Sequence, residues 1–173
     1  IRHDKGVTQV ALRKTGKGRL SVAESVQEGI TLFAPSLVIL FGTAGGIKKV
    51  CIGDIIIGTA GYDYESGRVV DQGFYSNPLS LPSSRRMVEK AALKAQHTSK
   101  WHPYLPTSEA PPTIHFSPIA SGDKVIASNA APLLRILEER FHNALALEME
   151  AYALLYAASK YSGVQTLIIG GSS

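Results

Sequence analysis

Leu37-Val38-Ile39-Leu40-Phe41-Gly42-Thr43-Ala44-Gly45-Gly46 sets a short, wholly apolar run against a glycine-rich segment. A run of that length, preceded by the punctuating pair Pro35-Ser36, reads as a buried strand, Leu37 to Phe41. Glycines at the carboxyl end of a strand let backbone approach a flat or anionic ligand, and in open α/β sheets ligands sit in that crevice. The spacing is neither the dinucleotide fingerprint, which needs a further glycine opening a helix, nor the lysine-containing phosphate loop. On the residues alone, Gly42 to Gly46 reads more readily as a tight turn than as a site.

Outward from this strand the chain alternates strand-like and helix-like segments, the pattern of an α/β layered domain. Val7 to Leu12 reads as a strand, and Ser21 to Phe33 as a helix with Val22, Val26, Ile30 and Phe33 on one face. Asp54 to Thr59 and Ile114 to Ala120 read as strands, Ser83 to Lys94 and Ala131 to Arg140 as helices, with Pro132 in the first turn of the latter. A helix after Glu150 carries Ala151, Leu154, Leu155 and Ala158 at helical spacing, ends near Gly163, and leads into a strand from Thr166 to Ile169. Gly61 to Pro82 and His102 to Pro112 are rich in Gly, Pro, Ser and Tyr and read as long irregular loops. In the first of these, Tyr62, Tyr64, Phe74 and Tyr75 are candidates to cover a site or a subunit partner.

The 173 residues, 45% hydrophobic, suit one domain spanning 1–173 with a sizeable core. The formal charge of +4 is dispersed and not interleaved with aromatics, so a nucleic-acid groove is not expected. One cysteine, Cys51, precludes an intrachain disulfide framework and fits a reducing compartment, here taken as the cytoplasm. No apolar run reaches the roughly 18 residues of a membrane span, and no signal-peptide core opens the chain. The five histidines, His3, His97, His102, His115 and His142, show no metal-ligand spacing and read as surface or loop residues; no metal or cofactor is expected. There is no Gly-x-Ser-x-Gly elbow, and Cys51 has no evident activating partner.

Ala144-Leu145-Ala146-Leu147-Glu148-Met149-Glu150-Ala151 sets two carboxylates around a methionine inside an apolar run. Burying a charge is costly, so acids placed here have work to do. On a strand Glu148 and Glu150 would share a face, and on a helix they would diverge by about 200°. The plainer alternative is two solvated acids in the first turn of a helix, where the macrodipole favours them.

Five motifs in order resemble the nucleoside phosphorylase superfamily, and most closely its methylthioadenosine/S-adenosylhomocysteine nucleosidase branch. They are Lys14-Thr15-Gly16-Lys17-Gly18 before a helix, Gly42-Thr43-Ala44-Gly45-Gly46, Ile52-Gly53-Asp54-Ile55-Ile56, Ser121-Gly122-Asp123, and Leu147-Glu148-Met149-Glu150-Ala151. The resemblance implies a three-layer αβα sandwich around a twisted mixed β-sheet. The family's first strand is expected before Ile1, and its C-terminal helix and purine-protonating aspartate after Ser173, so the domain is expected to be incomplete at both ends.

The same resemblance implies site roles. Glu150 would bond the ribose hydroxyls and stabilise the oxocarbenium character that glycosidic cleavage builds on the sugar. Met149 would pack on the sugar, Thr43, Ala44 and Gly45 would line ribose and base, Val125 and Ile126 would meet the purine, and Glu148 and Ser173 would stand beside the substrate. Three departures accompany these matches: Val125 stands where a phenylalanine often stacks on the base, Gly170 where nucleosidases commonly have arginine, and Leu40 where phosphorylases typically carry arginine. Leucine has no donor fork for phosphate, which favours hydrolysis over phosphorolysis. Arg13, Lys14 or Lys17 would be the substitutes, though each also reads as surface charge. The implied substrate is a small purine nucleoside and the implied assembly a homodimer. A nucleoside-sensing module without turnover is the competing reading, and a dinucleotide oxidoreductase a distant third.

Overall fold

The computed structural model describes residues 2–3, 6–47, 49–71, 73–97, 112–124, 132–141 and 143–173. Its centre is a six-stranded mixed sheet of β3 (Leu37–Gly46), β4 (Ile55–Asp63), β7 (Leu79–Pro82), β8 (Ile114–Ser121), β9 (Ala146–Glu148) and β10 (Gln165–Ser172), in the order β10-β3-β9-β8-β4-β7. Parallel pairs join β10 to β3, β4 to β8 and β8 to β9. β10 also pairs antiparallel with β4 through Ile168↔Gly58, Ile169↔Ile57, Gly170↔Ile56 and Gly171↔Ile55, so the sheet curls back on itself. Two small antiparallel pairs stand apart: β1 (Arg2–His3) with β2 (Gly6–Val7), and β5 (Gly67–Val70) with β6 (Gly73–Ser76).

Helices α1 (Arg19–Phe33) and α4 (Ala151–Ser159) pack together over one face of the sheet. In α1, Val22, Val26 and Ile30 recur every fourth residue, which puts them on one stripe. They meet Ala151, Leu154, Leu155, Ala157 and Ala158 of α4, and between them Ile56, Ile119, Ala146 and Ile168 rise from the sheet. α1 stops at Ala34, which takes a left-handed φ of 42° and returns its N–H to Ile30, and Pro35 prevents continuation. A second cluster joins Leu137 of α3 (Pro132–Arg140) and Phe141 to Tyr64, Ala120 and Ala144. Helix α2 (Arg85–Ala95) lies on the opposite face, where Met87, Ala91 and Ala95 with Ile55, Ile57, Leu167 and Ile169 line an apolar groove of ≈ 390 Å³. Among the described residues no helix is long and apolar enough to cross a membrane, a statement confined to helices.

Several expectations need correction. β3 does not end at Phe41: it runs on through the glycines to Gly46, because Gly42, Thr43 and Ala44 pair in register with β10. Nor is it buried on both faces. Val38 and Leu40 pack on the α1/α4 layer, whereas Ile39 and Phe41 alternate to the other face and are exposed. The expected strand Val7 to Leu12 reduces to Gly6–Val7, followed by irregular chain.

The supposed loop Gly61 to Pro82 is mostly strand, holding the end of β4 together with β5, β6 and β7. Gly61 looks like a breaker, yet it stands in β4 where α4 comes close: a Cβ there would lie 3.1 Å from the Tyr152 backbone nitrogen. Tyr64, expected on a covering loop, is core at 2% exposure. Tyr62 lies in β4 against Phe141, and Tyr75 of β6 lies under the Arg140 guanidinium, 4.3 Å from its ring centroid. The loop expected from His102 to Pro112 falls outside the described residues except at Pro112.

Gly58 gives a test of the packing between β4 and its neighbours. A Cβ there would stand 2.9 Å from Ile168 Cβ and 3.0 Å from Ile119 Cδ1, both in the closely packed interior. Gly58→Ala is expected to cost about 1–3 kcal/mol, the usual penalty of overpacking, read as a lower midpoint in urea unfolding. An unchanged midpoint would mean that the β4–β10 contact is looser than described.

Candidate functional site

The carboxyl ends of β8, β9 and β10 meet beside the glycine-rich part of β3, which runs antiparallel to β9. Ser173, just past β10, donates its N–H to the Ala44 carbonyl of β3 at 3.2 Å. Gly45 of β3 pairs with Leu147 of β9, and Glu148 of β9 pairs with Ser121 of β8. The Gly122 N–H donates to the Glu148 carbonyl at 3.1 Å. Here Tyr64 approaches so closely that a Cβ on Gly122 would lie 2.4 Å from its ring, which is why backbone without a side chain is needed after Ser121.

The two glutamates are neither on one strand face nor on one helix. β9 ends at Glu148, α4 begins at Ala151, and Glu150 is the flanking residue with φ −126°. Glu148 is buried, and its carboxylate turns back over the start of α4. It accepts the N–H of Glu150 at 2.6 Å and of Ala151 at 2.8 and 2.9 Å, satisfying donors that a helix start leaves unpaired. Burial nevertheless pushes its pKa up to about 7; the neighbouring Glu150 charge adds to this, and the bonds from Ala151, Glu150 and Ser121 oppose it.

Glu150 points elsewhere. It is half-buried, and its Oε1 accepts the Gly18 N–H at 2.9 Å across the interface with α1. Oε2 has no protein partner among the described residues. Gly18 adopts φ 91°, a left-handed conformation open to glycine and strained for other residues, which aims that N–H at the carboxylate.

Arg19, adjacent to Gly18, escaped the sequence reading. Its guanidinium meets Asp63 at 3.1 Å, Glu65 at 2.9 Å and Asp123 at 3.0 Å. Burial works to lower its pKa, but the Asp123 hydrogen bond and the charges of Asp63, Asp123 and Glu65 hold it above its ordinary value. Glu65 shows the reverse balance: burial works to raise it, while Lys124, the Asp123 N–H and Arg19 hold it below the usual carboxylate range. Asp54 of the Ile-Gly-Asp motif is a structural post, bonded by Cys51 N–H, Thr113 N–H and His115 Nε2, each at 2.9 Å. His115 is therefore not a free surface residue; it is half-buried in β8 and held by Asp54.

The other expected site residues divide. Thr43 is exposed on β3 opposite Gly171, Ala44 is buried, and Gly45 faces Leu147, whose Cδ2 would be in ordinary contact at 3.6 Å with a Cβ placed there. Met149 is half-buried between the two glutamates, and Ser173 is exposed. Val125 and Ile126 lie outside the described residues. Leu40 is partly buried and packs against the core cluster. Gly170 is buried, with Ala44 Cβ 3.1 Å from where its own Cβ would be, so an arginine there would have to displace β3. Arg13 is taken up by Glu28 at the surface. None of these site residues lines the groove under α2.

Comparison with known proteins agrees with this architecture. The chain is 25% identical over 164 residues to a 5'-methylthioadenosine/S-adenosylhomocysteine nucleosidase of Staphylococcus aureus, covering 89% of this chain and 64% of that protein. It thus spans just under two thirds of the length of that relative. Among solved structures, the 5'-methylthioadenosine/S-adenosylhomocysteine nucleosidase of Neisseria meningitidis, in complex with methylthio-immucillin-A, superimposes with TM-score 0.72 at 25% identity, covering 92% of this chain and 65% of that one. A futalosine hydrolase mutant of Helicobacter pylori shares the fold with TM-score 0.68 at 20% identity, covering 91% and 66%. The Phosphorylase superfamily model matches residues 2–173. With strand ends converging in the motif order noted above and that match spanning nearly its whole length, the chain belongs to the Phosphorylase superfamily.

Proposed function

We propose that this protein cleaves the N-glycosidic bond of a purine nucleoside, of the 5'-methylthioadenosine or S-adenosylhomocysteine kind, by hydrolysis. The observation that carries the reading is the half-buried Glu150 carboxylate, two residues past the end of β9, whose Leu147 pairs with Gly45; the Gly18 N–H fixes its Oε1 at 2.9 Å, and Oε2 has no protein partner among the described residues. An acid so placed accepts hydrogen bonds from vicinal ribose hydroxyls. As the bond between anomeric carbon and base nitrogen lengthens, its electron pair leaves with the base and the sugar becomes cationic; a preoriented carboxylate stabilises that charge without reorganising. Water then adds to the anomeric carbon, and the base departs with a proton.

Met149 supplies an apolar wall for the sugar and Thr43 a hydroxyl beside it. Residues 1–173 are read as one domain, since both apolar clusters are built on the same sheet.

Hydrolysis is preferred because, among the described residues, no arginine fork is free at the site, and the exposed Lys14 and Lys17 offer only point charges to phosphate. Leu40 packs against the core, Arg13 is paired with Glu28, and Arg19 is committed to three carboxylates. The test is adenine release from 5'-methylthioadenosine by the full-length protein, followed by chromatography with and without inorganic phosphate. Release at the same rate in both is expected. Strict phosphate dependence would reverse the choice to phosphorolysis, and saturable nucleoside binding with no release would make the protein a sensing module.

A further inference from the structure

We infer that Arg19 is a positioning residue for the Glu150 carboxylate, clamping three acidic side chains so that the adjoining Gly18 N–H stays on Glu150. The inference rests on the reading of Glu150 as the sugar-facing group.

The guanidinium spends each of its three nitrogens on a different carboxylate. Nη1 takes Asp63 at the end of β4, Nη2 takes Glu65 in the following turn, and Nε takes Asp123 after β8. The backbone N–H of Arg19 adds a bond to Asp123 Oδ1 at 3.3 Å, fixing the first turn of α1 as well as the side chain. The acids are themselves cross-linked: the Asp123 N–H donates to Glu65, the Glu65 N–H to Asp63, the Ser66 hydroxyl to Asp63, and Lys124 pairs with Glu65.

Charge decides how much depends on the arginine. Three carboxylates meet two cations here, and the Lys124 side chain is 66% exposed against 29% for Arg19. Without Arg19, three acids would remain in a small volume with one solvated ammonium to balance them, and repulsion would spread β4, the turn and the Ser-Gly-Asp segment apart. The start of α1 is moored to this cluster through Arg19, and the next residue toward the N-terminus is Gly18. The clamp and the Glu150 anchor are thus consecutive along the backbone. Lysine cannot replace the fork, since a point charge on a flexible stem cannot serve three acceptors in one plane.

The test is a double-mutant cycle in adenine release combined with an NMR readout that does not depend on turnover. Arg19→Met is expected to lower kcat about 10- to 100-fold, the scale of a small misplacement of a catalytic group, with a lesser effect on KM. In a Glu150→Gln background the same change is expected to do almost nothing more, because its effect passes through Glu150. The Gly18 amide proton, hydrogen-bonded to a carboxylate in the wild type, is expected to move upfield both in Arg19→Met and in Glu150→Ala. Arg19→Lys should recover little, and Arg85→Met, which breaks only the exposed pair with Glu89, should match the wild type. If Arg19→Met does not fold, Asp123→Asn removes one leg of the clamp and is expected to give the same signs at smaller size. Multiplicative losses in the cycle, or an unmoved Gly18 resonance, would overturn the inference. A wild type without turnover would refute the reading of Glu150, whereas the Gly18 resonance would still decide the clamp.

Discussion

Glu150→Gln is expected to lower kcat/KM for nucleoside cleavage about 10²- to 10³-fold, the usual cost of removing one preoriented electrostatic group. Most of the loss should fall on kcat, because the missing charge matters most once the sugar has become cationic. The amide matches the carboxylate in size, and its carbonyl can still accept the Gly18 N–H that now holds Oε1 at 2.9 Å, so the fold should be kept. Steady-state adenine release beside a thermal melt separates the two effects. Turnover within threefold of wild type at unchanged melting temperature would remove Glu150 from the chemistry.

The second large effect concerns Glu148 and pH. Its pKa, raised from 4.5 to about 7 chiefly by burial, means that the folded protein holds this proton more tightly than the unfolded chain does. Between those two values the native state carries more protons, so unfolding free energy falls as pH rises. The contribution is fully present below about pH 4.5 and is lost on passing about pH 7. A shift of this size corresponds to on the order of 3 kcal/mol. Urea unfolding across that window should show the decline, and Glu148→Gln, which has no proton to lose, should flatten it. The same slope in the variant would assign the effect to another group.

What the chain discloses to a reader of its sequence follows from how local each feature is. Val22, Val26 and Ile30 announce α1 because an amphipathic period needs only a few turns to show itself, and Ala151, Leu154, Leu155 and Ala158 do the same for α4. The strand after Pro35 is legible for the same reason, though its far end is not: Gly42 to Gly46 are strand only because β10 pairs with them. Gly61 misleads in the same way. Its glycine answers to a helix ninety residues on, at Tyr152, and not to a turn.

In the site, the motif order pointed to Glu150, while the geometry that fixes it was hidden. The Gly18 anchor is 132 residues away, and the acids that hold Arg19 are 44, 46 and 104 residues away. Charges so dispersed read as a solvated surface until folding brings them together. Glu148 was hidden differently. An acid at the end of a strand looks available for substrate, yet this one is occupied in finishing the helix that follows.

The curl of the sheet bears on how the protein is made. β10 pairs directly with both β3 and β4, and it follows both of them and α4 along the chain. A nascent chain therefore carries Leu40, Ile56 and their neighbours while every residue from Ile56 to Gln165 is added, before the strand that pairs with both exists. Pairings so distant along the chain are slow to form and leave apolar surface open meanwhile. Closure of the sheet thus waits on a strand made well after its two partners, and the open edges of β3 and β4 stay uncovered until it arrives.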